Sequence, residues 1–335
     1  MAAPRPAGVL ALAAAVAGAL VAVLLGFLTF GAQATVAPDG VPVAIGAPPG
    51  PLQAGAQAMA SHGGGQLDVR VTTPAEARQL LEDKKVYGVL ELGGAAPVVV
   101  TSGAVNPSGT QVAQQALTGA AQAMGGTPKL ETIHPASAGG RTAPLAASAL
   151  AWIGALVAGL ALTQLAKRTG RTLGAGVRLA QVVGVGVLVT GVLAGFLALW
   201  DSALPLNWDV LGFLFLATTA FAAVQAGLLR LLGLRAMAIL GPLYLVAPAV
   251  AGQVPELLNP AYRSLLWSWT PFRFSAEGLR SLLQGVPGAP DVTTGLWVLA
   301  GLLVAGLAVM LWPGRSAHQE AEAHAPDRVV EVGVH

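Results

Sequence analysis

The chain has 335 residues, of which 54% are hydrophobic and only 10% are charged, and its formal net charge is +2. Soluble domains carry about 25% charged residues, so this composition excludes an ordinary soluble globular protein. The absence of cysteine excludes disulfides and thiolate metal sites, and the small net charge argues against a nucleic-acid partner.

Six uncharged apolar stretches run along the chain, and about twenty apolar residues in a helix suffice to cross the hydrocarbon core of a bilayer. They predict an α-helical integral membrane protein with about six transmembrane helices, namely Ala7–Phe30, Leu145–Leu165, Leu179–Trp200, Val210–Leu229, Ala236–Ala251 and Thr294–Leu311. The fifth stretch is the shortest, and Pro242 and Pro248 predict a kink in it. Such a kink either lines a path through the membrane or is a tolerated packing feature.

The first stretch shares features with a signal peptide, because Arg5 precedes it and Ala32-Gln33-Ala34 follows it. Its apolar core is longer than a signal peptide needs. We therefore expect residues 1–30 to remain as an N-terminal transmembrane anchor. Cleavage would instead leave five spans and an external N-terminus.

Residues 31–142, between the first two stretches, predict a small extracytoplasmic α/β domain. Thr73 as cap, Pro74 at the first helical position and Glu76 three residues after the cap form a helix-start signature. Val41–Ile45 is a short apolar run that predicts a strand, and Leu67–Val71 alternates with period two, as a half-buried strand does. The element order is β-α-β-α-β-β-α-β, with segments Val41–Ile45, Pro51–Ser61, Leu67–Val71, Thr73 onward, Val86–Leu92, Pro97–Thr101, Pro107–Met124 and Lys129–Ile133. This order predicts one mixed sheet with helices packed on it.

Residues 143–312 contain the other five stretches and predict a five-helix transmembrane domain. Its short loops set the orientation, because cationic residues are retained in the cytoplasm. Four of them, Lys167, Arg168, Arg171 and Arg178, crowd the loop between the second and third spans, whereas Asp201–Asp209 carries two acids and no base. We expect a multi-pass plasma-membrane protein of bacterial type with both termini in the cytoplasm. Residues 313–335, rich in Ala, Glu and His, predict a disordered cytoplasmic tail.

Several function classes are disfavoured by residues that the chain lacks. None of the six stretches contains Asp, Glu, Lys, Arg or His, and ion-coupled transporters usually need such groups within the membrane. The chain has no Gly-x-x-x-x-Gly-Lys-Ser/Thr loop, so any ATP must be bound by another polypeptide. It has neither a His-x-x-x-His pair nor a Gly-x-Ser-x-Gly elbow. We expect no enzymatic activity, no cofactor and no metal.

Two regions carry a family resemblance. In the α/β domain they are Val41–Gly46, Val71–Arg78 and Lys85–Leu90, and near the last span they are Pro255–Pro260, Thr270–Phe272 and Glu277–Gly285. These blocks resemble type-2 ABC export permeases and the related phage-infection-protein (YhgE/Pip) group. Members of that group often insert a long helical stalk, but only about eighteen residues are available here, which is closer to the compact permeases.

The resemblance implies a function and partners. It implies a permease-like subunit of an ABC-type export system that depends on a separate ABC ATPase subunit and moves a hydrophobic or amphipathic substrate outward. The subunit would work as a homodimer, or as a heterodimer with a related permease, surrounded by membrane lipids. The alternative is a non-transporting envelope protein, either an assembly factor or a surface or phage receptor, that acts through residues 31–142.

The resemblance also implies two candidate sites. The ATPase would dock at the loop that contains Lys167, Arg168, Arg171 and Arg178, although these charges are also explained by topology alone. An outer re-entrant segment would occupy residues 253–291. Its candidate residues are Pro255, Glu256, Arg263, Pro271 and Arg280. The alternative for this segment is an amphipathic helix that lies in the membrane interface.

Overall fold

The computed structural model describes residues 7–61 and 64–312. Arg5 and the predicted cytoplasmic tail, residues 313–335, lie outside the described residues. The chain begins with helix α1 (Ala7–Gly26), which continues through a π-helical turn (Phe27–Gly31) into the short helix α2 (Ala32–Ala34).

The α/β domain follows, and its elements come in the predicted order. They are β1 (Val41–Gly46), α3 (Pro51–Ser61), β2 (Leu67–Thr72), α4 (Pro74–Glu82), β3 (Val89–Glu91), β4 (Val98–Ser102), α5 (Pro107–Ala123) and β5 (Lys129–Ile133). The five strands form one sheet in the order β2-β1-β3-β4-β5. Only the β3–β4 hairpin is antiparallel, while the other neighbouring pairs are parallel. The predicted mixed sheet is thus confirmed.

The two faces of the sheet bury different helices. Val43 and Ile45 in β1 face α3 and α5, whereas Ala44 between them faces α4, because successive side chains of a strand point to opposite faces. Thr73 caps α4 by accepting a hydrogen bond from the Glu76 backbone N–H at 3.4 Å. The Glu76 carboxylate accepts from the Thr72 hydroxyl. The helix therefore starts where the sequence predicts it to start.

The remaining elements are mainly helical. They are α6 (Ala138–Thr169), α7 (Ala175–Trp200), α8 (Trp208–Leu232), a 3₁₀ turn (Gly233–Ala236), α9 (Met237–Ala251), a second 3₁₀ turn (Pro255–Leu257), α10 (Pro260–Tyr262), a π-helical turn (Arg263–Trp267), α11 (Pro271–Leu283) and α12 (Pro290–Leu311). Within the described residues, five helical segments are long and apolar enough to cross a membrane. A multi-pass helical membrane protein is thus confirmed in outline.

The fourth of these segments, Trp208–Ala251, contains both the fourth and the fifth predicted spans. It bends at Gly233, which has a φ of +59°. The Arg230 guanidinium donates a hydrogen bond to the Met310 carbonyl, so the end of α8 lies beside the end of α12. The end of α9 lies beside Leu145, near the start of α6. The two arms therefore run in opposite directions, and the number of membrane crossings stays a prediction.

Close packing in the bundle depends on glycine at several positions. A Cβ built on Gly306 in α12 would lie 2.5 Å from the Val224 backbone nitrogen in α8. A Cβ on Gly295, also in α12, would lie 2.9 Å from the Phe213 ring of α8. Small residues let helix backbones approach in lipid, where no hydrophobic force drives helices together. The α8–α12 pair therefore forms a tightly packed centre of the bundle.

The N-terminal helix meets the bundle only near its end. The side chains of α1 face outward along most of its length, as Leu12, Leu20 and Leu24 do. Ala32 is buried against Val246 and Leu258, and the Tyr262 hydroxyl donates to the Phe27 carbonyl at 2.7 Å. The segment Ala32-Gln33-Ala34, considered above as a cleavage signal, is thus helical and in contact with α9.

Candidate functional site

Helix α11 lies inside the bundle. Its Phe272 side chain is fully buried, with ring centroids 5.2 Å from Trp152 of α6 and 5.6 Å from Phe221 of α8. Three residues later, the Ser275 hydroxyl lies 2.8 Å from the Ser148 hydroxyl, and both are buried. The other end of α11 emerges beside Gly140, at the start of α6. The helix therefore forms a wedge that reaches inward from the end of the bundle that carries the α/β domain.

A buried ion pair joins the α/β domain to this end of the bundle. The Lys84 ammonium lies 2.9 Å from the Asp291 carboxylate in the first turn of α12, and it also donates to the Ser281 hydroxyl in α11. The Lys84 side chain is only 7% exposed. A buried ammonium is costly without a partner, so this contact fixes the domain in position.

Two further hydrogen bonds cross the same junction. The Tyr87 hydroxyl donates to the Glu256 carboxylate at 2.9 Å. The pKa of Tyr87 is raised above its usual range, mainly by burial and secondly by the negative charge of Glu256. The Asn106 amide, at the start of α5, donates to the Glu277 carboxylate of α11 at 2.7 Å. Each contact pairs the domain with residues 253–291, so the domain is bonded to that segment rather than tethered freely above it.

These contacts surround a polar cavity of about 170 Å³ between the domain and the bundle. Its lining includes Lys84, Tyr87, Asn106, Glu277 and Asp291. Most of these polar groups already bond one another, and no group of three His, Asp or Glu residues that could hold a metal ion occurs between residues 7 and 61 or 64 and 312. The arrangement is therefore one of mutual hydrogen bonding between two parts of the protein.

An arginine stack closes the cavity on the bundle side. The Arg273 guanidinium lies 3.9 Å from the ring centroid of Trp267 and 3.8 Å from that of Phe274. It also donates to the Ser268 carbonyl at 3.3 Å. In cation–π contacts of this kind, the faces of the aromatic rings attract the guanidinium. They fix the bend between the π-helical turn and α11.

The opposite end of the bundle collects basic residues. Lys167 and Arg168 occupy the last turn of α6, Arg171 lies in the following loop, and Arg178 begins α7. The Arg178 guanidinium donates to the Leu173 carbonyl at 3.2 Å. In the described ranges, none of these four residues forms an ion pair with an acid. Within these ranges, no acid neutralises the charge of this loop.

The candidate residues of the outer segment divide into two groups. Glu256, Pro271 and Arg280 face the domain or the bundle: Glu256 accepts from Tyr87, Pro271 begins α11, and Arg280 is bonded to Glu277 and to the Arg141 carbonyl. Pro255 is partly buried at the start of a 3₁₀ turn, whereas Arg263 is exposed. Membrane entry of residues 253–291 stays a prediction.

The sequence interpretation missed the domain side of this junction. Lys84, Tyr87 and Asn106 contact residues from 169 to 207 positions away along the chain. One signal was available, since Glu277 and Asp291 are acids close to apolar segments and acids are rarely buried unless paired. Their partners cannot be identified from spacing alone.

In comparisons with known proteins, no family model, no curated protein and no solved structure matches the chain.

Proposed function

We propose that this chain is the permease-like membrane subunit of an ABC-type export system, dependent on a separate ATPase and moving a hydrophobic or amphipathic substrate. The observation that carries the proposal is the position of α11. This helix packs between α6, α8 and α12 and is bonded to the α/β domain through Asn106 and Lys84.

The position of α11 argues for coupled movement. A receptor needs its transmembrane helices only as an anchor, so it would gain nothing from the position of α11 in the centre of the bundle. A transporter does, because a shift between α6 and α8 would change the packing around Phe272 and reach the domain through the same helix. The basic loop follows the far end of α6, so an ATPase that binds this loop could move α6.

The first test is purification of the tagged protein from its native host in mild detergent, followed by mass spectrometry of the proteins that accompany it. We expect a stoichiometric nucleotide-binding subunit. Recovery of envelope proteins alone would contradict the proposal.

The second test reverses the charge of the basic loop. Arg171→Glu combined with Arg178→Glu should abolish recovery of the ATPase subunit, because the loop would then repel the acids of its partner. Arg263→Glu is the matched control, since this arginine is exposed at the other end of the protein. Unchanged recovery in the double variant, with topology and abundance intact, would exclude docking at this loop.

A second candidate function has one observation in its favour. The α/β domain contains a cavity of about 350 Å³ where β4 and β5 end and α5 begins, lined by Thr101, Ser102, Gln111, Gln114 and Arg141 among others. Ligands of open α/β sheets commonly bind outside the carboxyl ends of parallel strands. A receptor or assembly factor acting through this domain would lose function when residues 31–142 are deleted and would need no ATPase.

A further inference from the structure

A groove between α6 and α7 opens toward the surroundings of the bundle. Its volume is about 210 Å³. Small residues of α6, Ala143, Ala146 and Ala147, form one wall, and Leu193 and Phe196 of α7 form the other. These residues lie within two of the segments that are long and apolar enough to cross a membrane. The neighbours of the groove in a bilayer are therefore alkyl chains.

The end of this groove nearest the α/β domain joins a second, polar pocket. This pocket has a volume of about 400 Å³, and Asp201 and Leu204 line both spaces. His134, Ser137 and Gln284 are the other polar side chains of the pocket. Together, the two spaces are lined by apolar residues between the helices and by polar residues beyond the helix ends. An amphiphile has the same division into an apolar chain and a polar head.

The polar pocket presents both an acceptor and an unused donor. Asp201 accepts from the Ser137 hydroxyl and from the Ala203 N–H. Asp201 directly follows α7 and lies beside Ser137, the residue that caps the start of α6. The Gln284 side-chain nitrogen is buried and has no hydrogen-bond partner among the residues of the described chain. A buried donor without a partner is costly. Rotation of the Gln284 amide toward the pocket that this residue lines would let it donate to a hydroxyl oxygen of a ligand and would remove that cost.

We propose that the groove and the adjoining pocket bind an amphiphile with an alkyl chain and an uncharged, polyhydroxylated head. Hydroxyl groups can donate to Asp201 and accept from Gln284, as neither a carboxylate nor an ammonium can do alone. An anionic head would be repelled by the negative charge of Asp201, whose carboxylate lines the described pocket. Binding requires no ATPase, and only the idea that this amphiphile is the exported substrate rests on the proposed function.

The site is tested by photolabelling the full-length protein in lipid nanodiscs. Three probes share one dodecyl chain with a photoactivatable group and carry a glucoside, a carboxylate or an ammonium head. The glucoside probe should label peptides of α6 and α7. Ala146→Phe fills the groove from an exposed position and should reduce this labelling about tenfold, a change that corresponds to 1.4 kcal/mol.

Matched variants separate this site from general lipid contact. Val157→Phe, on the lipid-facing side of the same helix, should leave labelling unchanged. Thr142→Phe also fills the groove and replaces Ala146→Phe if that variant does not assemble. Gln284→Met should weaken labelling by the glucoside probe but not by the ammonium probe, because an ammonium head cannot accept a hydrogen bond from Gln284.

Three outcomes would overturn the proposal. They are labelling by the carboxylate or the ammonium probe that equals or exceeds labelling by the glucoside probe, labelling that Ala146→Phe does not reduce, and a change of oligomeric state in that variant, which would make the groove a contact between copies. Failure here is distinguishable from failure of the export proposal, since the ATPase subunit should still accompany Ala146→Phe during purification.

Discussion

Lys84 is the residue on which the junction between the two parts of the protein most depends. It follows α4 with a φ of +55°, in the left-handed region that residues other than glycine rarely adopt. Its ammonium is almost fully buried between Ser281 and Asp291. The backbone strain is tolerated because this conformation brings the ammonium to its two partners.

The two partners of this ion pair should not be equally sensitive to substitution. Asp291→Ala leaves a buried ammonium without a counter-charge and should cost about 3 kcal/mol. Lys84→Met leaves Asp291, whose side chain is 36% exposed and can be hydrated, and should cost less than about 1 kcal/mol. Thermal unfolding in detergent measures both. Asp209→Ala, in the first turn of α8, controls for the loss of an acid at a helix start. Equal costs for the two junction variants would show that the burial of Lys84 is not the dominant factor.

A second charged cluster should make the α/β domain sensitive to acid. The Arg78 guanidinium bonds Glu91 at 2.9 Å and Glu131 at 2.7 Å, and the hydrogen bond from Arg78 lowers the pKa of Glu131. A carboxyl whose pKa is lower in the folded state stabilises the fold above its unfolded pKa. This contribution is lost as the pH falls through the folded pKa.

The unfolding midpoint of the wild type should therefore exceed that of Glu131→Gln at a pH of about 6, and the difference should shrink toward about pH 3. The effect should be small, because both side chains are about 40% exposed. Thermal unfolding followed by circular dichroism at several pH values measures it. A difference that is constant with pH would mean that Glu131 acts through packing rather than charge.

Local signals were predictable at this scale and distant contacts were not. Thr73 and Pro74 mark the start of α4 because a cap acts within a few residues of itself. The Lys84–Asp291 pair joins residues 207 positions apart, and its partners are decided by how two domains meet. Gln225 shows the same limit: a glutamine near a predicted span end donates to the Trp152 carbonyl in the core.

Among the elements, α8 and α12 form the contact on which the bundle relies most. Gly306 meets the α8 backbone, while Gly227 of α8 meets Val309 and the Gly306 carbonyl. Backbone contact at this distance leaves no room for a side chain, and neighbouring backbone cannot move aside as a side-chain tip can. The close approach of α8 and α12 therefore depends on glycine, which has no side-chain methyl group, at Gly227 and Gly306.

Two glycines of α12 provide a matched pair of variants. Gly306→Ala would place a methyl group 2.5 Å from the Val224 nitrogen and should destabilise the bundle by at least about 2 kcal/mol. Gly301→Ala has nothing within 4 Å of its Cβ and should be neutral or stabilising by up to about 1 kcal/mol, since alanine favours the helix. Unfolding midpoints in detergent measure both effects. Equal behaviour of the two variants would contradict the packing described here.

The elements differed in how far their sequence predicted them. A short apolar run identified β1, and period-two alternation identified β2, each within one residue of its end. Strand β3 is shorter than the predicted Val86–Leu92 because only Val89–Glu91 pairs with neighbours on both sides. The sequence left α11 open between a re-entrant and an interfacial helix, because its apolar face could meet either lipid or protein. The burial of Phe272 against Trp152 is what tertiary packing adds.

Polar and charged side chains collect at the two ends of the molecule. One end carries the α/β domain and its bonds to residues 253–291, and the other carries Lys167, Arg168, Arg171 and Arg178. The positive-inside rule predicts that the second end faces the cytoplasm. Since α8 and α9 run in opposite directions, the turn between them should lie on that same side.

Single cysteines can test this topology directly, because the chain has none of its own. Arg171→Cys and Leu234→Cys should resist a membrane-impermeant maleimide in intact cells and react after permeabilisation. Ser108→Cys, in the α/β domain, should react in intact cells. Labelling of Leu234→Cys from outside would place the turn between α8 and α9 on the same side as the α/β domain and would contradict two crossings by Trp208–Ala251.

The sparse contact between α1 and the rest of the protein has a consequence for biosynthesis. The Tyr262 hydroxyl that bonds the Phe27 carbonyl is made 235 residues later. At about 5 to 20 residues per second, the ribosome needs about 10 to 50 seconds to produce it. Until α9 and Tyr262 are made, the neighbours of α1 in a bilayer are lipids, so this helix must be apolar enough to remain inserted without them.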